Sequence, residues 1–161
     1  MNWEQLCNDP VLRNLPYKIE TDSLGKLILS PAKNIHSFRQ GQIMRLLLQR
    51  LSQGYVLPEC AIETPAGVKV ADVAWITAEH WSQACDEAAF TRAPALCIEV
   101  WSGSNTEQEI ADKRALYFGA GAVEVWECDQ KGQIHFFTRE GQQTASRLAP
   151  DFPQQIPLNW A

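Results

Sequence analysis

Residues 68–75 have the sequence VKVADVAW, and residues 95–101 have the sequence ALCIEVW. Both are apolar runs that follow a turn containing proline or glycine, which is typical of buried β-strands. Each run holds one acid in its interior, Asp72 in the first and Glu99 in the second. A buried carboxylate is costly unless it is paired with a cation or bound to a metal. These two acids therefore need partners that the rest of the chain must supply.

Further strands are predicted on either side of these two runs. Short apolar stretches between turn residues indicate strands at residues 17–20, 26–29, 55–57, 60–63, 123–128 and 133–138, and the first acid-bearing run is itself predicted to be a strand at 69–76. Strands and helices alternate along the chain, which predicts an α/β fold, more narrowly an α+β mixed sheet flanked by helices. The length suits one domain over residues 1–161, with the core at about 17–157.

Two long helices are predicted from apolar positions that recur at three- and four-residue spacing. The first covers residues 34–52, and Asn34 is expected to cap it. The second covers about 105–119, where Ser104 is expected to form the cap of a capping box. The tail at residues 148–161 contains three prolines and is predicted to be extended chain on the surface.

The composition is that of an ordinary globular protein, with 45% hydrophobic and 20% charged residues. The net charge of −5 argues against broad, non-specific binding to nucleic acid but allows a small basic cleft. The five cysteines are widely spaced without a C-x-x-C pair, so we expect reduced thiols in a cytoplasmic protein. No apolar run is long enough to cross a membrane, and no membrane partner is expected.

Asp72, Glu99 and Lys113 are the candidate catalytic residues. Carboxylates are ligands that suit Mg²⁺ or Mn²⁺, and a nearby lysine can stabilise the charge that develops on a phosphoryl group. Asp72 and Glu99 would bind the metal together with a backbone carbonyl, for which Val100 is the candidate. The set indicates metal-dependent cleavage of phosphodiester bonds.

Each of these three residues also has a plainer interpretation. Asp72 could end a strand and pair with a surface lysine, and Glu99 could form a salt bridge. Lys113 could be a solvated helix residue. Its spacing places Lys113 on one helix face with Ile110 and Tyr117, the face expected to meet the sheet, but spacing alone leaves the choice open.

Four segments of the chain carry further motifs: LGKLILSP at 24–31, VADVAW at 70–75, IEVWSGSN at 98–105 and KRALYFGAGAVEVW at 113–126. Together they resemble the Uma2 family of restriction-endonuclease-like proteins over about residues 17–157. The resemblance implies a fold of the PD-(D/E)xK type and an endonuclease that uses Mg²⁺ or Mn²⁺. It also implies that Asp72 is the first acid of the motif and Glu99 the second.

The resemblance bears on several further residues. In the common form of the motif a lysine follows the second acid by two positions, where this chain has Trp101. The family places a lysine on the next helix instead, and Lys113 matches it. Glu20 matches a glutamate of the family's first strand and His36 a histidine at the start of its helix, although capping or surface roles suit both equally. Glu59 is a weaker ligand candidate.

Nucleic acid, with DNA expected, is the implied substrate, and a homodimer is expected because gripping a duplex usually takes two copies. A rival interpretation is a catalytically inactive nuclease-fold module that acts as a dimeric regulator binding nucleic acid or protein. The acidic net charge favours it slightly, as do Trp101 and Gly103, where the family usually has leucine and proline. Convergence of Asp72, Glu99 and Lys113 in one metal-sized site would distinguish the two interpretations.

Overall fold

The computed structural model describes residues 1–159. Its elements in chain order are α1 (Trp3–Asn8), a 3-10 turn (Leu12–Asn14), β1 (Lys18–Thr21), β2 (Leu27–Ser30), α2 (Asn34–Leu48), β3 (Gly54–Thr64), β4 (Gly67–Thr77), α3 (Ala78–Ala84), β5 (Leu96–Val100), α4 (Glu107–Gly119), β6 (Glu124–Cys128), β7 (Ile134–Thr138) and β8 (Gly141–Gln143). The predicted mixed sheet flanked by helices is confirmed.

The main sheet has the strand order β3-β4-β5-β6-β7-β8, while β1 and β2 form a separate antiparallel hairpin. Neighbours in the main sheet are antiparallel except β5 and β6, which are parallel and are connected through α4. One face of the sheet packs against α2, and the other packs against α3 and α4. The two acid-bearing strands, β4 and β5, are adjacent in the interior of the sheet.

A break in the side-chain alternation of β4 lies at Asp72. Side chains two residues apart on a regular strand share a face, yet Ala71 belongs to the core on the α3 and α4 side while Val73 belongs to the core on the α2 side. The pairing of β3 with β4 is interrupted at the same place, and Glu59, opposite Asp72, has a φ of 49°. Sequence analysis predicted two short strands at 55–57 and 60–63; the structure has one long strand with this bend inside it.

Both helix caps differ from prediction. Asn34 lies inside α2, and Lys33 occupies the cap position without a side-chain hydrogen bond to the helix. The α4 helix begins after Thr106, which forms a capping box with Glu109, so Ser104 is not the cap. The Ser104 hydroxyl instead lies 3.0 Å from that of Ser102 in the preceding loop. The motif was shifted by two residues because several capping residues follow one another there.

The prediction of a surface tail was wrong for its described part. Ala149, Phe152 and Ile156 are buried in the core on the α2 side of the sheet. The Phe152 ring lies 4.6 Å from the ring of Trp126, centroid to centroid. Burying a phenylalanine stabilises a fold by about 2–3 kcal/mol relative to leaving it exposed, and this outweighs the turn tendency of the prolines. Residues 160–161 of the predicted tail lie outside the described residues.

Candidate functional site

Three buried carboxylates lie close together at the bend in β4. Asp72 comes from β4, Glu99 from β5 and Glu20 from β1, and their residues are 1%, 3% and 5% exposed. The hairpin that contains β1 packs against β4, which brings Glu20 beside the acids of the main sheet. A concentration of negative charge this far from solvent needs cationic partners.

Asp72 has three donors around its two oxygens. Lys18 Nζ donates to Oδ1 at 2.8 Å, and the backbone N–H of Val100 donates to Oδ2 at 2.7 Å. His36 Nε2 lies 3.3 Å from Oδ2. Asp72 Oδ2 is thus anchored by the backbone of the neighbouring strand β5, and its Oδ1 faces Lys18.

Glu99 shows the same division between its two oxygens. The Tyr117 hydroxyl donates to Oε1 at 2.6 Å. Lys113 Nζ lies 3.2 Å from Oε2, and Lys18 Nζ lies 3.6 Å from it. One oxygen is therefore anchored to a buried hydroxyl and the other faces two lysines.

Glu20 completes the arrangement from the opposite side. Its Oε1 accepts hydrogen bonds from the backbone N–H of Val70 at 2.7 Å and from Lys113 Nζ at 2.7 Å. Acids and lysines therefore alternate in space in the order Glu20, Lys113, Glu99, Lys18, Asp72, a set that we call the carboxylate–lysine chain. The predicted residues Asp72, Glu99 and Lys113 are brought together in it.

Glu59 lies outside this chain, although it is near Asp72. Its side chain is exposed and accepts a hydrogen bond from Gln40 Nε2 at 2.8 Å, and the same nitrogen donates to the Asp72 carbonyl at 2.7 Å. Gln40 thus bridges the two strands where their pairing is interrupted. Glu59 contributes to the bend that presents Asp72.

Burial and the lysines shift the pKa values of the two central acids in opposite directions. Burial alone would raise the pKa of Asp72, but the Lys18 charge and the His36 hydrogen bond outweigh it and hold that pKa below its ordinary value. At Glu99 burial prevails over the charges of Lys113 and Lys18, and its pKa is raised. The hydrogen bond to Asp72 raises the pKa of His36, and burial only partly opposes this.

The donor set at the two central acids suits a divalent cation. Asp72 Oδ1 and Glu99 Oε2 converge on one atom, Lys18 Nζ, at 2.8 and 3.6 Å. These two oxygens therefore already face a common cation. Hard oxygen ligands of this kind fit Mg²⁺ or Mn²⁺, which retain several waters. Within residues 1–159 no three His, Cys, Asp or Glu side chains converge on one point. The fit is therefore to a pair of carboxylates supplemented by backbone or water oxygens.

Two cavities border the carboxylate–lysine chain. One, of about 510 Å³, is lined by Glu20, Lys69 and Lys113 among others. The second, of about 300 Å³, is lined by His36 and by Val100 at the end of β5. Lys18 lines both, and its side chain is only 14% exposed. Lys18 therefore separates the two acids from both cavities, neither of which is lined by Asp72 or Glu99.

Sequence reasoning missed Lys18 and the role of Tyr117. Lys18 lies two residues before Glu20 on β1, and side chains two residues apart share a strand face, so a signal for it was present. Tyr117 was placed on the helix face of Lys113, but its hydrogen bond to Glu99 depends on a contact between α4 and β5. Its pKa is raised well above the ordinary value by burial and by the nearby acids, so it remains a neutral donor.

The two departures from the family pattern lie at the rim. Trp101 is half-buried directly after β5 and lines cavities on both sides of its loop. Gly103 is exposed, and a Cβ at that position would meet no atom within 4 Å. Neither residue intrudes on the contacts of Asp72 or Glu99. Separately, none of the described helices is both long and apolar enough to span a bilayer.

Comparison with known proteins places this geometry in context. The family model described as "Uma2: Putative restriction endonuclease" matches residues 3–159 of the chain. A crystal structure of a protein from Anabaena variabilis, described as "a putative nuclease belonging to DUF820", matches with a TM-score of 0.69 at 16% sequence identity; the match covers 98% of this chain and 89% of that chain. At this identity the likeness shows a shared fold. None of the curated proteins compared with the chain matches it.

Proposed function

The chain belongs to the Uma2 family of restriction-endonuclease-like proteins, and from this premise we propose that it is an endonuclease that hydrolyses phosphodiester bonds of DNA and requires Mg²⁺ or Mn²⁺. The observation that carries the proposal is the convergence of Asp72 Oδ1 and Glu99 Oε2 on a single cationic atom, Lys18 Nζ. Two buried carboxylates on neighbouring strands that face one cation have the chemistry of a Mg²⁺ site.

Asp72, Glu99 and the carbonyl of Val100 are the groups that would hold the ion. When bound there, it would lower the pKa of a coordinated water and polarise a phosphoryl oxygen. The protein prepares the two acids for this role by anchoring one oxygen of each, through the Val100 N–H on Asp72 and the Tyr117 hydroxyl on Glu99. Anchoring of this kind orients the ligands before the ion arrives.

Lys113 is proposed to contact the reacting phosphate. Its ammonium group lies between Glu20 and Glu99 and lines the 510 Å³ cavity. A phosphate in that cavity would meet Lys113, which can stabilise the negative charge that builds up on the phosphoryl oxygens. Glu20 then acts as a positioning residue that holds the lysine at the mouth of the site.

His36 is proposed to position Asp72 from the other cavity. Its Nε2 faces Asp72 Oδ2 at 3.3 Å, while its Nδ1 is buried and has no hydrogen-bond partner among the described residues. The ring can therefore orient the carboxylate while it lines the 300 Å³ cavity. Glu59 has no proposed part in the chemistry.

The proposed substrate is bound locally rather than over a broad surface. The net charge of −5 disfavours extensive backbone contacts, whereas Lys18, Lys69 and Lys113 offer local cationic contacts in the 510 Å³ cavity, which Glu20, Glu109 and Asp112 also line. A second copy of the chain would present the same lysines a second time, and we propose that the active form is a homodimer.

A cleavage assay tests the proposal. Supercoiled plasmid, linear duplex, single-stranded DNA and structured RNA are incubated with the wild type in Mg²⁺, in Mn²⁺ and in EDTA, beside Asp72→Ala, Glu99→Ala and Lys113→Met. Glu63→Ala is the matched control, because Glu63 is an exposed acid of β3 outside the carboxylate–lysine chain. We expect metal-dependent cutting of DNA by the wild type and the control, and a loss of cutting in the three site variants.

The alternative, an inactive regulatory module of the same fold, is favoured by one observation. The carboxylate–lysine chain pairs its acids with lysines without help from any metal. Absence of cutting by a folded wild-type dimer on every substrate and with both metals would favour this module, which binding measurements on the same substrates would then characterise.

A further inference from the structure

We infer that Lys18 occupies the position that the divalent cation must take, so that the metal binds only by displacing the Lys18 ammonium group. The inference rests on the proposed function in one respect, since it assumes that Asp72 and Glu99 are the metal ligands. It goes further by assigning a role to a lysine that belongs to no part of the nuclease motif.

The contacts of Lys18 carry the inference. Its Nζ lies 2.8 Å from Asp72 Oδ1 and 3.6 Å from Glu99 Oε2, the two oxygens that the protein leaves without an anchoring neutral donor. Asp72 and Glu99 would hold a divalent cation through these same oxygens, because their other oxygens are already anchored by the Val100 N–H and the Tyr117 hydroxyl. An ammonium group and a metal ion cannot share that space, and their like charges repel one another.

The chain has space for Lys18 to leave. Its side chain lines the two cavities on either side of the acids and a third one, of about 430 Å³, lined largely by apolar residues of the N-terminal segment. Movement of Nζ therefore needs rotations within one side chain and no rearrangement of the sheet. Lys113 is less free to move than Lys18, because its Nζ lies 2.7 Å from Glu20 Oε1.

The consequence is a site that is stable in two states. Without metal, Lys18 offsets part of the negative charge of Asp72 and Glu99 and so lowers the cost of burying the two acids. With metal, the ion takes over that balance and Lys18 is released toward a cavity where substrate phosphate would lie. Lys18 thus weakens metal binding in exchange for stability of the metal-free protein.

Calorimetric titration of the metal-free protein with Mn²⁺ alone tests the inference, because it measures affinity and not activity. Wild type, Lys18→Met, Asp72→Ala and Lys69→Met are compared. Lys69→Met is the matched control, since Lys69 is a neighbouring lysine that lines the same cavity but donates to the Thr21 carbonyl and to no acid of the site. A merely structural role for Lys18 would leave the Mn²⁺ affinity unchanged or lower it.

We expect Lys18→Met to bind Mn²⁺ at least about 10-fold more tightly than the wild type, because a like charge next to the ion is removed. Lys69→Met should stay within about twofold of the wild type, because its ammonium group does not contact the two ligand acids. Asp72→Ala should bind no Mn²⁺. Lys18→Met should also have a lower melting temperature than the wild type without metal, and saturating Mn²⁺ should restore it.

The possible outcomes distinguish a failure of the Lys18 role from a failure of the metal site. Equal or weaker binding by Lys18→Met, with wild-type binding intact, overturns the role of Lys18 and leaves the proposed nuclease in place. No binding by either protein overturns the metal site and the inference with it. If Lys18→Met does not fold, Lys18→Gln keeps a hydrogen-bond donor for Asp72 while removing the charge, and the same criteria apply to it.

Discussion

Glu99 and Glu124 lie on adjacent parallel strands, β5 and β6, and both are almost fully buried, at 3% and 1% exposure. Their partners differ in kind. Glu124 accepts hydrogen bonds from the Trp126 indole at 2.7 Å and from the Ser146 hydroxyl at 2.7 Å, both neutral groups. Its other oxygen accepts the backbone N–H groups of residues 147 and 148 at 2.6 and 3.0 Å.

Glu99 has one neutral donor, the Tyr117 hydroxyl, and two lysines on its other oxygen. The neutral donors of Glu124 belong to the fixed core and to the chain that follows β8, so they hold a structure together. The lysines of Glu99 border cavities, so another cation can take their place at this carboxylate. Burial is common to both acids, so the cationic partners of Glu99 are the feature on which its proposed role as a metal ligand rests.

The largest expected effect is on the cleavage rate, which should depend on Asp72 and Glu99 but not on Glu124. Asp72→Asn and Glu99→Gln should each lower the cleavage rate at least about 100-fold, because a metal ligand matters at least as much as the outer partners whose loss costs 10–100-fold. Glu124→Gln should keep the wild-type rate per folded molecule. Initial rates on the best substrate, normalised to the folded fraction from circular dichroism, provide the measurement. A Glu124 variant that folds yet loses activity would break the comparison.

The next effect is on stability, and here the larger loss is expected at Glu124. Glu124→Ala leaves two buried and two partly buried donors without their acceptor, and unsatisfied buried groups cost roughly 1–3 kcal/mol each, with incomplete additivity. We expect a loss of about 3–5 kcal/mol in the free energy of unfolding, measured by urea denaturation without metal. A loss below about 1 kcal/mol would show that the donors find water or other partners instead.

Tyr117→Phe removes the one neutral donor of Glu99 and tests whether that donor serves metal binding or only the fold. Removing the hydroxyl frees Glu99 Oε1 and should weaken Mn²⁺ binding by about 10-fold, as expected for a group that orients a ligand. The unfolding free energy should fall by only about 1 kcal/mol, because one hydrogen bond is lost. Calorimetry and urea denaturation on the same sample measure both. An unchanged Mn²⁺ affinity would mean that Tyr117 supports the fold only.

The smallest effect concerns Asp129, a partly exposed acid in the turn before β7. Burial would raise its pKa, but hydrogen bonds with His135 and with two backbone N–H groups outweigh burial and hold its pKa below the ordinary value. A depressed pKa stabilises the fold above the unfolded-state pKa, near 4, and this contribution is lost as the pH falls below it.

Asp129→Asn should therefore reduce stability by about 0.5 kcal/mol at pH 7, a small value because solvent screens the group. The difference from the wild type should shrink as the pH is lowered from about 5 to 3. Thermal melts across this range measure it. A difference that grows toward low pH would contradict the assigned direction of the pKa shift.

Local pattern was sufficient for much of the fold. The apolar runs around Asp72 and Glu99 predicted the two central strands, because residues buried on both faces of a sheet have few alternatives. The helix spacing predicted that Lys113 shares a face with Tyr117, and both side chains do point to Glu99. Boundaries were less certain, since competing caps near Ser104 differ by only a few tenths of a kcal/mol up to about 1 kcal/mol.

Long-range pairing could not be predicted from local pattern. Lys18 and Asp72 are 54 residues apart, and only the packing of the first hairpin on β4 brings them together. The same is true of the bend at Glu59, which depends on Gln40 from α2, and of Phe152, whose burial depends on Trp126. In each case the deciding contact joins elements that are distant in sequence.

The most direct test of the central claim is the anomalous difference map of a crystal grown or soaked with Mn²⁺. We expect a peak between Asp72 and Glu99, with the Lys18 ammonium group moved away from Asp72 Oδ1 and the partners of Glu124 unchanged. A Mn²⁺ peak elsewhere, or none at these two acids in a crystal of protein that cuts DNA with Mn²⁺, would contradict it.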